Sequence, residues 1–285
     1  LVDVYCNSNN IEENFYSEVL DWDMESDIFD VWLANAAASK TTEDAYSWNN
    51  SLVINGYSDI IDHTNFIQVD PNKSYKISWY MKSWTSPLSR IYFWFLEFDE
   101  NFKAITNHSV NARVWTETVL TEAFSPTDTN IRFACDAALQ ATWNTTNATH
   151  RMIAFWVDDS GNYNDLPNFN LTWSIGNTWS VTRSGNVCTF AMSNSGSATS
   201  SYPVGTKIRL HVSGSSRNYR AASNVSVPNT WTKYEGITWW VATRWISTAK
   251  FRPWTKFITP FIFANWNSNN SGNKMFIDDV QIEEL

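Results

Sequence analysis

From about residue 45 onward the apolar residues recur with a period of two. Tyr75, Ile77, Trp79 and Met81 alternate with Lys76, Ser78, Tyr80 and Lys82. Only an extended strand sends successive side chains to opposite faces, so one face here is buried and the other meets solvent. Asp70-Pro71-Asn72 supplies the turn that starts it. Ile91 to Phe98 is apolar at both phases and reads as a central sandwich strand. Asp99-Glu100-Asn101 then turns the chain into Phe102–Ile105, which predicts a hairpin. Further short strands are predicted over 51–54, 66–69, 131–134, 152–157, 169–175, 179–182, 187–191, 207–212, 231–237, 256–264 and 275–282. Many short strands between Asn, Ser, Gly and Asp clusters indicate an all-β sandwich or barrel. Gly is scarce, at 9 residues, so Asn is expected at many left-handed turn positions.

The one region with helical spacing is 10–40. Ile11, Phe15 and Val19 recur every four residues, and Asn10 with Glu13 resembles a capping box. Residues 31–38 read as a second short helix. Between about Asn107 and Ser216 the chain becomes rich in Thr, Asn and Ser and loses the dense aromatic strands that flank it.

Composition narrows the function classes. The formal charge is −9, and charged residues are only 17% of the chain while aromatics reach 16%. Such a chain is too apolar to be disordered. An acidic chain is also poorly suited to a phosphate backbone. The only basic-aromatic stretch, Lys250-Phe-Arg-Pro-Trp-Thr-Lys256, reads as a strand edge, so no nucleic-acid partner is expected. The longest apolar run, Ile91–Leu96, is far too short to span a bilayer, so no membrane insertion is expected. Residues 1–20 lack the pattern of a signal peptide: one was removed, or the chain never carried one. Cys6, Cys135 and Cys188 show no metal-ligand spacing. They read as three buried thiols, with a Cys135–Cys188 pair as the alternative. Asn-X-Ser/Thr sequons stand at Asn49, Asn72, Asn107, Asn144, Asn147, Asn170, Asn224 and Asn269. They matter only in a eukaryotic secretory pathway.

Two groups of segments carry a family resemblance. One is Asn65–Ser83 followed by Tyr92–Lys103. The other is Val227-Pro-Asn-Thr-Trp-Thr-Lys-Tyr-Glu-Gly followed by Phe276-Ile-Asp-Asp-Val-Gln-Ile-Glu-Glu. In this order they resemble the carbohydrate-binding jelly-roll modules appended to xylanases and laminarinases, over residues 45–106 and 224–285. The middle of the chain departs from that pattern and looks like an insertion. With Phe251-Arg-Pro-Trp-Thr-Lys and Phe263-Ala-Asn-Trp-Asn, the whole is similar to a jelly-roll domain of bacteriophage tail-fibre and other virion proteins. The resemblance implies a jelly-roll β-sandwich from 45–106 and 217–285, an inserted smaller β-rich region at 107–216, and a partly helical segment at 1–44.

The 17 Trp residues are the main site candidates, because a flat ring stacks on the apolar face of a pyranose. Trp84, Trp239, Trp240, Trp245 and Trp254 are the leading ones, for a glycan or for a neighbouring subunit. Adjacent Trp239 and Trp240 point to opposite faces of a strand, so one of them lies outside the main core. Asp278 and Asp279 also alternate, which turns one carboxylate inward beside Phe276 and Val280. A structural Ca²⁺ held with Glu12 or Glu13 is what the resemblance implies there. A hydrogen-bonded carboxylate without metal is the other reading.

Catalytic signals are weak. Glu97 and Asp99, roughly 7 Å apart along a strand, are the best carboxylate pair for glycoside hydrolysis, and they also read as the start of a hairpin. Asp158-Asp159 reads as a turn. His63, His108, His150 and His211 are scattered, and no phosphate loop, GxSxG or CxxC is present. The expected function is a non-enzymatic virion or fibre protein with a carbohydrate-binding-like module, homo-oligomeric, in a virion or extracellular. A secreted bacterial glycan-binding module and a glycan hydrolase or lyase are the alternatives.

Overall fold

A computed structural model describes residues 25, 32–33, 38–55, 60–63, 66–84, 88–145, 151–172, 181–191, 200–212, 222–244, 249–263 and 274–285. The chain forms two compact units. The first comprises residues 1–94, 220–237 and 257–285; the second comprises 95–219 and 238–256.

The first unit is built on two antiparallel sheets. The five-stranded sheet runs β15 (Thr232–Trp239), β6 (Ser74–Ser83), β17 (Lys274–Glu284), β3 (Ser51–Asn55) and β2 (Ala38–Thr41). The six-stranded sheet runs β1 (Trp32–Leu33), β4 (Ile60–His63), β16 (Phe257–Phe263), β7 (Leu88–Phe98) and β14 (Ala222–Val227), with β5 (Ile67–Gln68) beside β16. The alternation of β6 sets the packing. Ile77, Trp79 and Met81 are fully buried, and the Trp79 ring stacks on Phe93 of β7 with centroids 3.4 Å apart. The sheets therefore pack face to face, as the period of two predicts. Strand β7 is interior, between β16 and β14, as its two apolar faces require.

The second unit holds two three-stranded sheets. One runs β10 (Arg151–Phe155), β13 (Lys207–Val212) and β8 (Thr118–Val119). The other runs β11 (Thr182–Ser184), β12 (Val187–Ala191) and β9 (Asn130–Ala134). Among the described residues two helices belong to this unit, α1 (Asn107–Val110) ahead of β8 and α2 (Ala137–Thr145) between β9 and β10. The core gathers Phe124, Phe133, Trp143, Phe155, Phe190 and Tyr202, with Phe155 stacked on Tyr202 at 3.7 Å. Cys135 and Cys188 form a disulfide, with Cα atoms 5.6 Å apart. This is the pairing that the free-thiol reading set aside; antiparallel β9 and β12 bring the two residues together. Cys6 lies outside the described residues.

Several expectations change. Trp32–Leu33 is a strand paired with β4, not part of a helix, because sheet pairing outweighs a weak local preference. The helical spacing over residues 11–19 lies outside the described residues. Helix α2 was not foreseen. Its signal is Asp136, whose carboxylate accepts the Leu139 N–H at 2.8 Å, an N-cap ahead of Ala137-Ala138-Leu139. Phe169–Thr172 forms only an isolated bridge, Leu171 to Ala154, rather than a strand. Among the described residues, left-handed positions fall mostly to aromatic residues rather than Asn: Trp48, Phe102, Trp115, Trp156, Tyr163, Trp240 and Trp254, while the one such Asn, Asn224, lies within β14. The cost of that conformation lies in the backbone and Cβ, so a ring pointing to solvent adds little to it.

Candidate functional site

Among the described tryptophans, Trp79, Trp94 and Trp143 are fully buried, whereas Trp48, Trp84, Trp115, Trp156, Trp239, Trp240 and Trp254 are exposed. Neither Trp239 nor Trp240 enters a core: the first ends β15, and the second follows it in a left-handed conformation. Trp84 belongs to the first unit, and Trp239, Trp240 and Trp254 belong to the second. Trp245 lies outside the described residues.

Trp84 sits at the edge of a larger aromatic arrangement. On β6 the outward phase carries Lys76, Ser78, Tyr80 and Lys82. Register places Asp278 of β17 opposite Tyr80, and Phe276 opposite Lys82. The segment 42–50 crosses this outer face of the five-stranded sheet and lays Tyr46 on Tyr80, rings stacked with centroids 3.5 Å apart. Trp231 lies 5.9 Å from Tyr46 and 6.4 Å from the buried Phe276. Trp84 leans on Phe276 from the other side, at 5.6 Å. Phe276 is thus the floor of a row of rings, of which Trp84 (43%) and Tyr46 (44%) are the most exposed.

Charged groups border this row. Asp44 receives the Trp231 indole N–H at 3.0 Å and pairs with Lys82. Lys274 Nζ lies 5.4 Å from the Trp84 ring centroid and pairs with Glu43. Each is an exposed or half-exposed donor or acceptor beside a ring. Tyr80 is the residue that sequence reasoning missed with a signal in hand: an aromatic at the solvent phase of an alternating strand. Tyr46 and Trp231 carry no such signal, because only the tertiary fold brings them onto the sheet.

Asp278 anchors the segment that carries Tyr46. Its Oδ2 accepts the backbone N–H groups of Tyr46 and Ser47 at 2.8 and 2.9 Å. Its Oδ1 accepts the Asp279 N–H at 2.7 Å. Asp279 is left-handed and sits at a register shift in the β17–β6 ladder, which turns its own N–H back to its neighbour. Burial pushes the Asp278 carboxyl up to about 6, against the opposing pull of these N–H groups. The arrangement does not fit a calcium ion. Calcium needs oxygen lone pairs, and here N–H groups point at both oxygens. Glu12 and Glu13 lie outside the described residues, and no group of three or more His, Cys, Asp or Glu is placed to hold a metal among the described ones.

The carboxylate pair Glu97 and Asp99 divides between two structural tasks. Glu97 is buried, with Oε1 3.4 Å from Arg252 Nε. Its Oε2 accepts the Arg252 N–H and the Thr255 hydroxyl, each at 2.6 Å. Burial raises its pKa, opposed by the Arg252 charge and by these hydrogen bonds. Asp99 Oδ1 accepts the N–H groups of Asn101 and Lys103, both at 2.9 Å, and holds the hairpin turn. A carboxylate fixed in a buried ion pair and one spent on a turn do not flank a substrate bond. His211 is likewise buried. Its Nδ1 is 2.7 Å from the His108 carbonyl oxygen, and its Nε2 is 3.0 Å from Arg209. Burial and then the Arg209 charge lower its pKa to about 3.

No protein-family model matches the chain, and no curated protein matches it. Among solved structures, the chain is similar to the CBM22-1 xylan-binding domain of Paenibacillus barcinonensis Xyn10C, at 10% identity and a TM-score of 0.37. The match covers 92% of this chain and 90% of that one. It is also similar to the CBM22-1–CBM22-2 tandem domain of the same protein, at 12% identity and a TM-score of 0.23, covering 92% and 96% of the two chains. Neither superimposes closely enough to carry an argument about this chain.

Proposed function

We propose that the chain is a non-catalytic glycan-binding module, and that the outer face of the five-stranded sheet is its binding surface. The supporting observation is the row Tyr46, Tyr80, Trp231 and Trp84, with Lys82, Asp44, Lys274 and Glu43 along it. Sugar rings present flat C–H faces and equatorial hydroxyls. Exposed rings meet the first, and mixed charges at their edges meet the second. An extended row of rings suits a chain of sugars rather than a single one.

Isothermal titration with soluble xylan, mixed-linkage β-glucan and galactomannan tests the reading. Binding of at least one is expected, and Trp84→Ala or Tyr46→Ala should weaken it about tenfold or more, about 1.4 kcal/mol. Silence across a broad glycan array, with the fold intact by circular dichroism, overturns it. The narrower reading, a homo-oligomeric virion or tail-fibre protein, rests on the sequence resemblance. It requires tryptophans buried between copies. A monomer at high concentration in sedimentation velocity removes it.

A further inference from the structure

The second unit contains a groove of about 360 Å³. Three turns wall it. The first is the hairpin turn Asp99–Phe102, with Glu100 and Asn101 at the rim. The second is the segment from Asn164 to Phe169. The third is Arg252-Pro253-Trp254-Thr255, which presents Trp254 and Thr255.

Thr255 N–H returns to the Arg252 carbonyl at 3.3 Å, closing a four-residue turn with Pro at its second position. The third position has a positive φ of 66° and belongs by preference to Gly, yet it carries Trp254 with 67% of its surface exposed. This conformation costs of order 1–3 kcal/mol, and Trp254 shares it with six other aromatic residues among the described ones. The ring is not held there by burial.

Beneath the walls lie two buried ion pairs. Glu97 with Arg252 fixes the Trp254 turn from inside, and Arg252 also bonds Asn107 Oδ1 at 2.6 Å. Asp165 receives Arg209 at 2.8 Å and Asn168 Nδ2 at 3.0 Å, which fixes the opposite wall. Buried ion pairs contribute little net stability against an apolar replacement. Their position under a groove instead holds its rim in one geometry, which lowers the ordering cost of binding.

We propose that this groove is a second saccharide subsite, for a neutral glycan, with Trp254 stacked on a sugar ring. This rests on the glycan-binding reading above and adds a site to it. Asn101 and Asn164 offer amide donors and acceptors. The Glu100 carboxylate accepts hydrogen bonds from sugar hydroxyls, and with Asp99 it repels uronates and sulfates. Among the described lining residues the carboxylates Asp99, Glu100 and Asp165 stand against one cation, Lys256, and Arg209 beneath pairs with Asp165.

The test follows indole N–H resonances in ¹⁵N-labelled full chain, with the Trp254 peak assigned by its loss in Trp254→Gly. Probes are cellohexaose, xylohexaose and mannohexaose, with hexagalacturonate as the charged comparison. In a Tyr46→Ala/Trp84→Ala background, a neutral hexasaccharide is expected to move the Trp254 peak saturably. Adding Trp254→Gly should then lower the remaining affinity at least tenfold. If a probe binds the unmodified chain while the Trp254 peak stays still, the second subsite is wrong and the sheet-face reading stands. If hexagalacturonate moves the peak more than the neutral probes, the ligand class is wrong. If no probe binds the unmodified chain, both readings fall together.

Discussion

At the residue scale, Trp254 and His211 pay opposite kinds of penalty. Trp254 holds a left-handed backbone that Gly would hold without strain. Trp254→Gly is expected to raise stability by about 1 kcal/mol, read as a higher urea midpoint, while removing a ring from the groove. An unchanged or lower midpoint would show that the ring contributes packing that its exposure hides. His211 is held neutral by burial, with its pKa near 3 against an ordinary 6.5. A base whose folded pKa is depressed binds protons better unfolded, so stability is present above about 6.5 and is lost as pH falls toward 3. Amide protection factors of β13, with the intrinsic acid slowing of exchange divided out, should fall across that window, and His211→Gln should flatten the dependence. The sequence reads Lys250–Lys256 as a strand edge, and the structure instead makes Arg252–Thr255 a turn around Pro253. Nothing in the sequence assigned its left-handed position to the next residue, because that depends on Glu97 pulling from beneath.

Elements differ in how openly the sequence declares them. Strands β6 and β7 were readable from their phases alone, since burial on one face or both writes itself directly into alternation. Helix α2 was not, for two reasons. It lies in a stretch dominated by Thr and Asn, and it buries essentially one large side chain, Trp143, whose indole N–H reaches the Thr116 carbonyl at 3.3 Å. A helix with so small an apolar face depends on its cap. Asp136→Ala should therefore cost about 1 kcal/mol, measured by chemical denaturation, with Asp136→Asn costing less. Equal losses in both variants would place the role of Asp136 elsewhere. Trp32–Leu33 errs in the other direction: a helix-like composition became a strand because β4 offered a ladder.

On the scale of the whole molecule, the second unit is closed by long-range links. The Cys135–Cys188 disulfide spans 53 residues. Cross-linking a loop of that size removes unfolded-state entropy, so reduction should destabilise the second unit by about 2–4 kcal/mol. Differential scanning calorimetry with and without reductant reads this. A transition unmoved by reductant would show that the core of Phe133, Trp143 and Phe190 suffices without the bond.

The sequence by itself determined the all-β class, the face each residue of β6 presents, the interior place of β7 and the excess of tryptophan beyond what a core takes. These follow from period and composition, which are local properties of the chain. Only the tertiary structure decided which rings share a surface and which charges neutralise each other. Tyr46 meets Tyr80 because Asp278, 232 residues further along, accepts its N–H. Glu97 is a structural carboxylate because Arg252, 155 residues away, closes over it. Hydrogen bonds and ion pairs act over a few ångströms of space, and distance along the chain leaves no trace of them.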